Sequence, residues 1–235
     1  MSSSIKTEAQ LRGITRLCHF TPSRNLVHIA SSSDGVRSSS ALRSDQSACF
    51  TATDTKRIDG YTGHISCSIE YPNGWYLSKA EALEPLFKDW VVLFIAPHYI
   101  WHPQTRYCPR NAAADSGGQV VKSLSGFQSL FAQSIAGAYG KTNTRISTHL
   151  DCSPTDDQAE VLVGTNITLS DILGVAVRDK TQAKNEIVRL RLAGIVGDPF
   201  QFVIAPQLFN KYQLSKSIRS GKRPVELIYK GSHGR

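Results

Sequence analysis

No two cysteines are spaced as in a zinc knuckle or a Cys-x-x-Cys redox motif; Cys18, Cys49, Cys67, Cys108 and Cys152 are odd in number and widely scattered. Ligation of a metal by cysteine pairs is thereby excluded, and reduced thiols of a cytoplasmic protein are the expectation. The longest strongly apolar run, Trp90 to Ala96, is far shorter than the roughly 20 residues a bilayer-spanning helix needs. The first thirty residues lack a basic-then-apolar leader, so the expectation is a protein that is neither secreted nor membrane-bound. No His-Glu-x-x-His helix, no Gly-x-Ser-x-Gly elbow and no Gly-x-Gly-x-x-Gly turn is present. Gly140-Lys141-Thr142 looks like the tail of a phosphate loop, but Ile135 stands where the first glycine is required. Acid is also scarce: 19 Asp and Glu against 27 Lys and Arg leave a net charge of +8. That balance favours an anionic partner such as nucleic acid or a phosphorylated cofactor.

What is present suits one domain over residues 1–235, with 40% apolar residues to build a core. Ser2 to Arg12 reads as a polar or helical lead-in and Ile14 to Cys18 as a strand. Ser23 is placed to cap a helix from Arg24 to Ala30. Ser31 to Ser47 is mostly serine with Arg37 and Arg43 embedded: a flexible loop, or one that closes over a phosphate-bearing ligand. His64 to Tyr71 alternates as a strand, with Ile65, Cys67 and Ile69 on one face. A short helix is expected over Glu81 to Lys88 despite Pro85. Trp90 to Ala96 predicts a central strand buried on both faces. Ser125 to Tyr139 reads as a helix on the spacing of Phe127, Leu130, Phe131 and Ile135. Ala159 to Gly164, Gly174 to Arg178, Gln201 to Ala205 and Val225 to Tyr229 predict strands, with a helical turn over Leu169 to Leu173 and a helix over Ala183 to Leu192. Strands and helices out of βαβ rhythm make the class α+β.

Polar residues at strand ends are the candidates for chemistry. Glu160 stands among apolar neighbours in Gln158-Ala159-Glu160-Val161-Leu162-Val163. Such a glutamate is either the polar face of a half-exposed strand or a group kept for function. His19, after the first strand, is either a satisfied half-buried histidine or a ligand contact.

Several segments, in this order, resemble the DarT family of DNA ADP-ribosyltransferase toxins: His19-Phe20-Thr21, Asn25-Leu26, Gly35, Arg57-Ile58-Asp59, Ser68-Ile69-Glu70-Tyr71-Pro72-Asn73, Trp90-Val91-Val92-Leu93, Cys108-Pro109-x-Asn111-Ala112-Ala113 and Gln158 to Val163. The likeness runs from about Ile14 to Val177. It implies an ADP-ribosyltransferase fold in which two small central β-sheets, flanked by helices, form a cleft for NAD. It also implies transfer of ADP-ribose onto a base of single-stranded DNA, no metal, and an antitoxin protein that reverses the modification. Carried over by position, Glu160 would be the catalytic glutamate. His19, Thr21 and Asn25 would hold the adenosine–ribose side of NAD, and Gly35 would let backbone approach the nicotinamide. Arg57 would face the pyrophosphate or help activate the acceptor base. The chemistry asks for the same types. Loss of nicotinamide leaves an oxocarbenium-like ribose that a carboxylate stabilises, and a guanidinium grips a diphosphate in a way lysine does not.

One departure bears on the acceptor. Thymidine-modifying members of the family carry His-Asp-Tyr-Val-Pro-Phe-Tyr where this chain reads Gly63-His64-Ile65-Ser66-Cys67-Ser68-Ile69. Small residues there leave room for a purine, so guanine is favoured over thymine. The stretch from His98 to Arg110 supplies a DNA side, with Tyr99, Trp101 and Tyr107 for base stacking and Arg106 and Arg110 for phosphates. For each aromatic, core packing is the alternative. Two rival functions remain: a transferase acting on RNA or protein, and a non-catalytic basic nucleic-acid-binding domain.

Overall fold

The computed structural model describes residues 4–45, 57–84, 86–137 and 140–231. Ser47, Cys49, Pro85 and Tyr139 lie outside them. The fold grows outward from Trp90–Ile95 (β3), the apolar run, whose six residues are all buried. Leu17–Pro22 (β1) pairs antiparallel with β3 along its whole length, from Leu17 opposite Ile95 to Pro22 opposite Trp90. On the far side of β3 lies Ile172–Val177 (β8). The helix Lys180–Leu192 (α6), capped by the Asp179 side chain, then returns the chain to Phe202–Ile204 (β9), parallel to β8. Leu227–Ile228 (β10) closes that edge. On the near side of β1 come Ile65–Ile69 (β2), Glu160–Val163 (β7) and Arg106–Cys108 (β4). A separate hairpin joins Ser134–Ala136 (β5) to Thr142–Thr144 (β6).

The α+β class is as expected, and the two sheets are halves of one eight-stranded order, β10-β9-β8-β3-β1-β2-β7-β4. They meet at a seam. β1 and β2 share only the pairs Leu17–Ile69 and Cys18–Ser68, after which the strands part. The gap between them is the cleft.

Several element boundaries differ from expectation. The helix expected over Ser125 to Tyr139 is Leu124–Ser129 (α5), capped by Ser123, and Ile135 belongs to β5, where it is buried between exposed Ser134 and Ala136. The helix expected over Glu81 to Lys88 is Gly74–Leu83 (α4). The Asn73 side chain caps it by accepting from the Tyr76 N–H at 2.9 Å. Ser23 is no cap: residues Ser23–Asn25 form a 3-10 turn ahead of Leu26–Ala30 (α2), and the Ser23 hydroxyl donates to Glu186 at 2.7 Å. The serine-rich run holds a short helix, Ser39–Ser44 (α3). Ile5–Leu11 (α1) bears out the helical lead-in, while Lys211–Arg219 (α7) was not expected. Cys18, Cys67, Cys108 and Cys152 are buried free thiols. Among the described residues no helix is long and apolar enough to cross a membrane.

Candidate active site

Where β1 and β2 part, a cleft of about 520 Å³ opens, lined by Cys18, His19 and Phe20 from β1 and by Ser66, Cys67 and Ser68 from β2. Its volume is that of a pocket for a cofactor-sized ligand. α4 contributes Trp75, Tyr76 and Lys79, and Glu160 stands at the first position of β7.

Glu160 is the unusual group. Its carboxylate accepts from the Ala112 N–H at 3.0 Å. Burial pushes its pKa from the ordinary carboxylate range up to about 7, against the opposing pull of the Ala112 N–H, Arg57 and the Ser66 hydroxyl; Asp59 adds to the rise. A carboxyl poised near neutrality in a cleft can hold or release a proton at working pH. Glu160 is half-buried at the start of its strand and faces the cleft.

His19 bridges the seam. Its Nδ1 lies 2.9 Å from the Ser66 carbonyl oxygen, which only accepts, so Nδ1 carries the proton. Burial lowers the pKa of the ring, with Arg57 adding to the fall and the Ser66 carbonyl opposing it, which favours the neutral form. Nε2 is then an acceptor. The side chain therefore ties β1 to β2 one step beyond the last backbone pair.

Thr21 and Asn25 stand just behind, bonded to each other, the Asn25 amide donating to the Thr21 hydroxyl at 2.8 Å. Neither lines the cleft. Arg57 does not line it either; the partner it holds does. Its guanidinium grips Asp59 through two bonds of 3.0 Å and donates to the His64 carbonyl, also at 3.0 Å, and to the Tyr61 carbonyl. Arg57 so organises the turn that leads into β2 and presents Asp59 to the cleft. Gly35 has a structural reason of its own. Its φ is +59°, and a Cβ there would lie 2.4 Å from the Ile167 carbonyl oxygen. The missing side chain thus gives clearance to the chain's own backbone, where Val36 pairs with Ile167.

The expected DNA side needs correction. Tyr99 is 4% exposed and Tyr107 1%, so neither ring offers a face to a base. Their hydroxyls are also engaged, Tyr99 with Asp171 at 2.8 Å and Tyr107 with the Ile100 carbonyl at 2.5 Å. Packing decided both, as it does for most aromatics beside an apolar strand. Trp101 is half-buried against the core, with Lys6 over its ring. Arg106 lies over Tyr61, and Arg110 lies 4.0 Å from Asp115.

The aromatic rings that do face the cleft are Phe20, Trp75 and Tyr76, with Tyr76 edge-on to Phe20 at 5.8 Å. Two of them sit on α4. Pro72-Asn73-Gly74 reads as the end of a strand, yet Asn before Gly-x-Tyr is equally a helix start. That capping residue was the signal available in the sequence. Among the described residues there is no group of His, Cys, Asp or Glu side chains that would hold a metal ion.

The α+β fold described above is shared with solved DarT structures. The chain is similar to Thermus sp. 2.9 DarT in complex with ADP-ribosylated ssDNA (TM-score 0.58, 14% identity, 84% of this chain and 97% of that one). It is similar also to the same protein in complex with NAD+ (TM-score 0.56, 14% identity, 83% and 97%). The Thermosipho africanus DarTG structure in complex with ADP-ribose matches with TM-score 0.57 and 12% identity over 83% of this chain; this chain spans about half of that one, 51%. No curated protein matches the sequence. The model of the family described as DarT, ssDNA thymidine ADP-ribosyltransferase, matches residues 18–210. The chain belongs to the DarT family.

Proposed function

We propose that the protein transfers ADP-ribose from NAD onto a base of single-stranded DNA bound at the cleft, with Glu160 as the catalytic carboxylate. The observation that carries this reading is the Glu160 carboxyl, raised to about 7 and standing in a cleft large enough for a dinucleotide. The relatives' complexes with NAD+ and with ADP-ribosylated ssDNA supply the two reactants. In the reaction the ribose C1′–nicotinamide bond breaks and nicotinamide leaves neutral. A nitrogen of the acceptor base forms the new bond to C1′, and the proton it loses passes to the Glu160 carboxylate. The ionised form of Glu160 also stabilises the positive charge that develops on the ribose.

Residues of the cleft fit such a ligand. Phe20, Trp75 and Tyr76 offer rings to flat heterocycles, and Lys79 offers a cation to a diphosphate. His19 lines the cleft and would meet the ribose side of NAD, with the Thr21–Asn25 pair next along β1; Gly35 keeps its backbone clearance against Ile167. Arg57 acts through Asp59, and Arg106, Arg110 and Trp101 meet the DNA outside the cleft. The partner we propose beside DNA is an antitoxin that removes ADP-ribose, and the compartment is the cytoplasm.

The acceptor base is thymidine on the family's description. One observation favours guanine in this chain: Ser66, Cys67 and Ser68 form the β2 wall of the cleft. The Ser68 hydroxyl accepts from the Asn73 N–H at 3.1 Å and keeps its own proton to donate to a purine edge, while the Ser66 hydroxyl is engaged with Glu160. Incubation with labelled NAD and an oligonucleotide holding all four bases, followed by mass spectrometry of the digest, tests both levels. An adduct on guanine supports this second reading, and an adduct on thymidine returns the chain to the family description. No adduct on any base sinks the DNA reading as a whole.

A further inference from the structure

The family match ends at residue 210, yet the chain goes on to build α7 against the wall of the cleft. Tyr212 is 66% exposed and stands edge-on to Trp75, ring centroids 5.4 Å apart. Lys211 places its ammonium 5.1 Å from the Trp75 ring and 5.3 Å from that of Tyr212. Trp75 itself lines the cleft, so these rings form a step from its mouth onto α7. Leu214 and Ile218 bury one face of the helix. Tyr212 and Lys216, four residues apart, share the exposed face.

From Lys211 to Arg223 the chain carries Lys211, Lys216, Arg219, Lys222 and Arg223 and no acid. Two of these cations serve the fold: Arg219 pairs with Asp157 at 3.3 Å and Arg223 with Glu70 at 2.9 Å. Lys216 and Lys222 are exposed and, among the described residues, have no carboxylate within ion-pair distance. An exposed ring beside the cleft, flanked by cations that the fold does not use, is the chemistry that holds single-stranded nucleic acid.

The geometry points to α7 as a DNA track, in which Tyr212 stacks the nucleotide flanking the target base and Lys216 and Lys222 neutralise the phosphates beyond it. This inference rests on the reading of single-stranded DNA as the acceptor. It moves the stacking role from the buried tyrosines, Tyr99 and Tyr107, to a segment beyond the family match.

The test uses the full chain. In a Glu160→Gln background, fluorescence anisotropy measures affinity for a labelled single-stranded oligonucleotide, and calorimetry measures affinity for NAD. Tyr212→Ala should weaken DNA binding about tenfold, and Tyr212→Phe, which keeps the ring, should restore most of it. Lys216→Ala should weaken binding and flatten its salt dependence by roughly one counterion. NAD affinity should stay within twofold in all three. In the catalytically active chain, Tyr212→Ala should raise the KM for oligonucleotide with little change in kcat. Unchanged DNA affinity in Tyr212→Ala and Lys216→Ala overturns the inference, as does a parallel loss of NAD affinity, which would make α7 only a brace for Trp75. If the wild type modifies DNA while these variants bind it normally, the track fails and the transferase reading stands. If the wild type modifies no DNA, the reading beneath the track fails.

Discussion

Two carboxyls on opposite sides of the seam, one fully buried and one half-buried, show how differently the fold treats the same group. Glu186, on α6 behind the β10-to-β1 half, is fully buried and fully served. The Ser23 hydroxyl donates to it at 2.7 Å, and Arg189 reaches both of its oxygens at 2.9 and 2.7 Å. Glu160, on the β2-to-β4 half, has one backbone donor and the Ser66 hydroxyl, and opens on the cleft. Burial raises the pKa of both. In Glu186 the charge is matched on the spot by Ser23 and by Arg189, which also pairs with Asp89 at 3.3 Å. At Glu160 the pull of the Ala112 N–H, Arg57 and the Ser66 hydroxyl does not offset the burial, and the carboxyl opens on the cleft. An acid whose charge is matched inside the core is no candidate for an active site; an acid raised by burial beside an open cavity is one.

Exchanging the two residues for neutral ones breaks the comparison most sharply. Glu160→Gln should reduce transfer of ADP-ribose by about 10²- to 10³-fold, as expected for losing one transition-state charge, measured with labelled NAD and oligonucleotide. The same variant should melt higher than wild type at pH 8. Folded Glu160 titrates near 7, above its unfolded value of 4.5, so the folded state binds the extra proton between those pH values. Stability conferred by that proton is present below about pH 4.5 and lost as the pH rises through 7. Glutamine removes this dependence. An unshifted melting curve at pH 8 would show that Glu160 ionises without strain.

Glu186→Ala should do the reverse. It strands Ser23 and one face of Arg189 and should cost about 2–3 kcal/mol of stability, read by denaturant unfolding. Activity per folded molecule should be unchanged.

A smaller effect is expected from Arg57→Lys. Lysine keeps the charge but cannot hold Asp59 with a planar fork, so the turn into β2 loosens and activity should fall about tenfold. Full activity would mean that Asp59 needs no holding. Smallest is the pH effect. kcat/KM for NAD should rise with pH and level off above about 7, where Glu160 is ionised. A flat profile from pH 6 to 8 would remove the proton-accepting role and leave only charge stabilisation.

Much of the central sheet was legible because its signals are local. An unbroken apolar run at Trp90–Ile95 has no other stable place than the middle of a sheet, and Glu160 stood out against Val161-Leu162-Val163. The aromatic residues were not legible in the same way. Tyr99 and Tyr107 share a stretch with Arg106 and Arg110, and composition does not tell a ring packed into the core from one offered to a base. Only three-dimensional neighbours separate them. Ile135 fits the helical spacing of Phe127 and Phe131, but the chain turns at residues 130–133 and buries it from a strand instead. α4 was expected too late, over Glu81 to Lys88, because its start hides inside the turn signal Pro72-Asn73-Gly74. The cleft needed both misread pieces: α4 for its rings, and the parting of β1 from β2, which no local pattern encodes.

That parting also bears on how the molecule avoids sticking to copies of itself. Unpaired strand edges invite foreign strands, and aggregation begins there. The outer edges of this sheet are only two and three residues long, at β10 and β4. Among the described residues, β1 beyond Cys18 pairs with β3 on one side and leaves its other side open in the middle of the sheet. It faces β2 across a gap already spanned by the His19 side chain. An intruding strand would have to enter through the cleft, past Trp75 and Tyr76, so the fold keeps its most adhesive surface where another chain is least able to reach it.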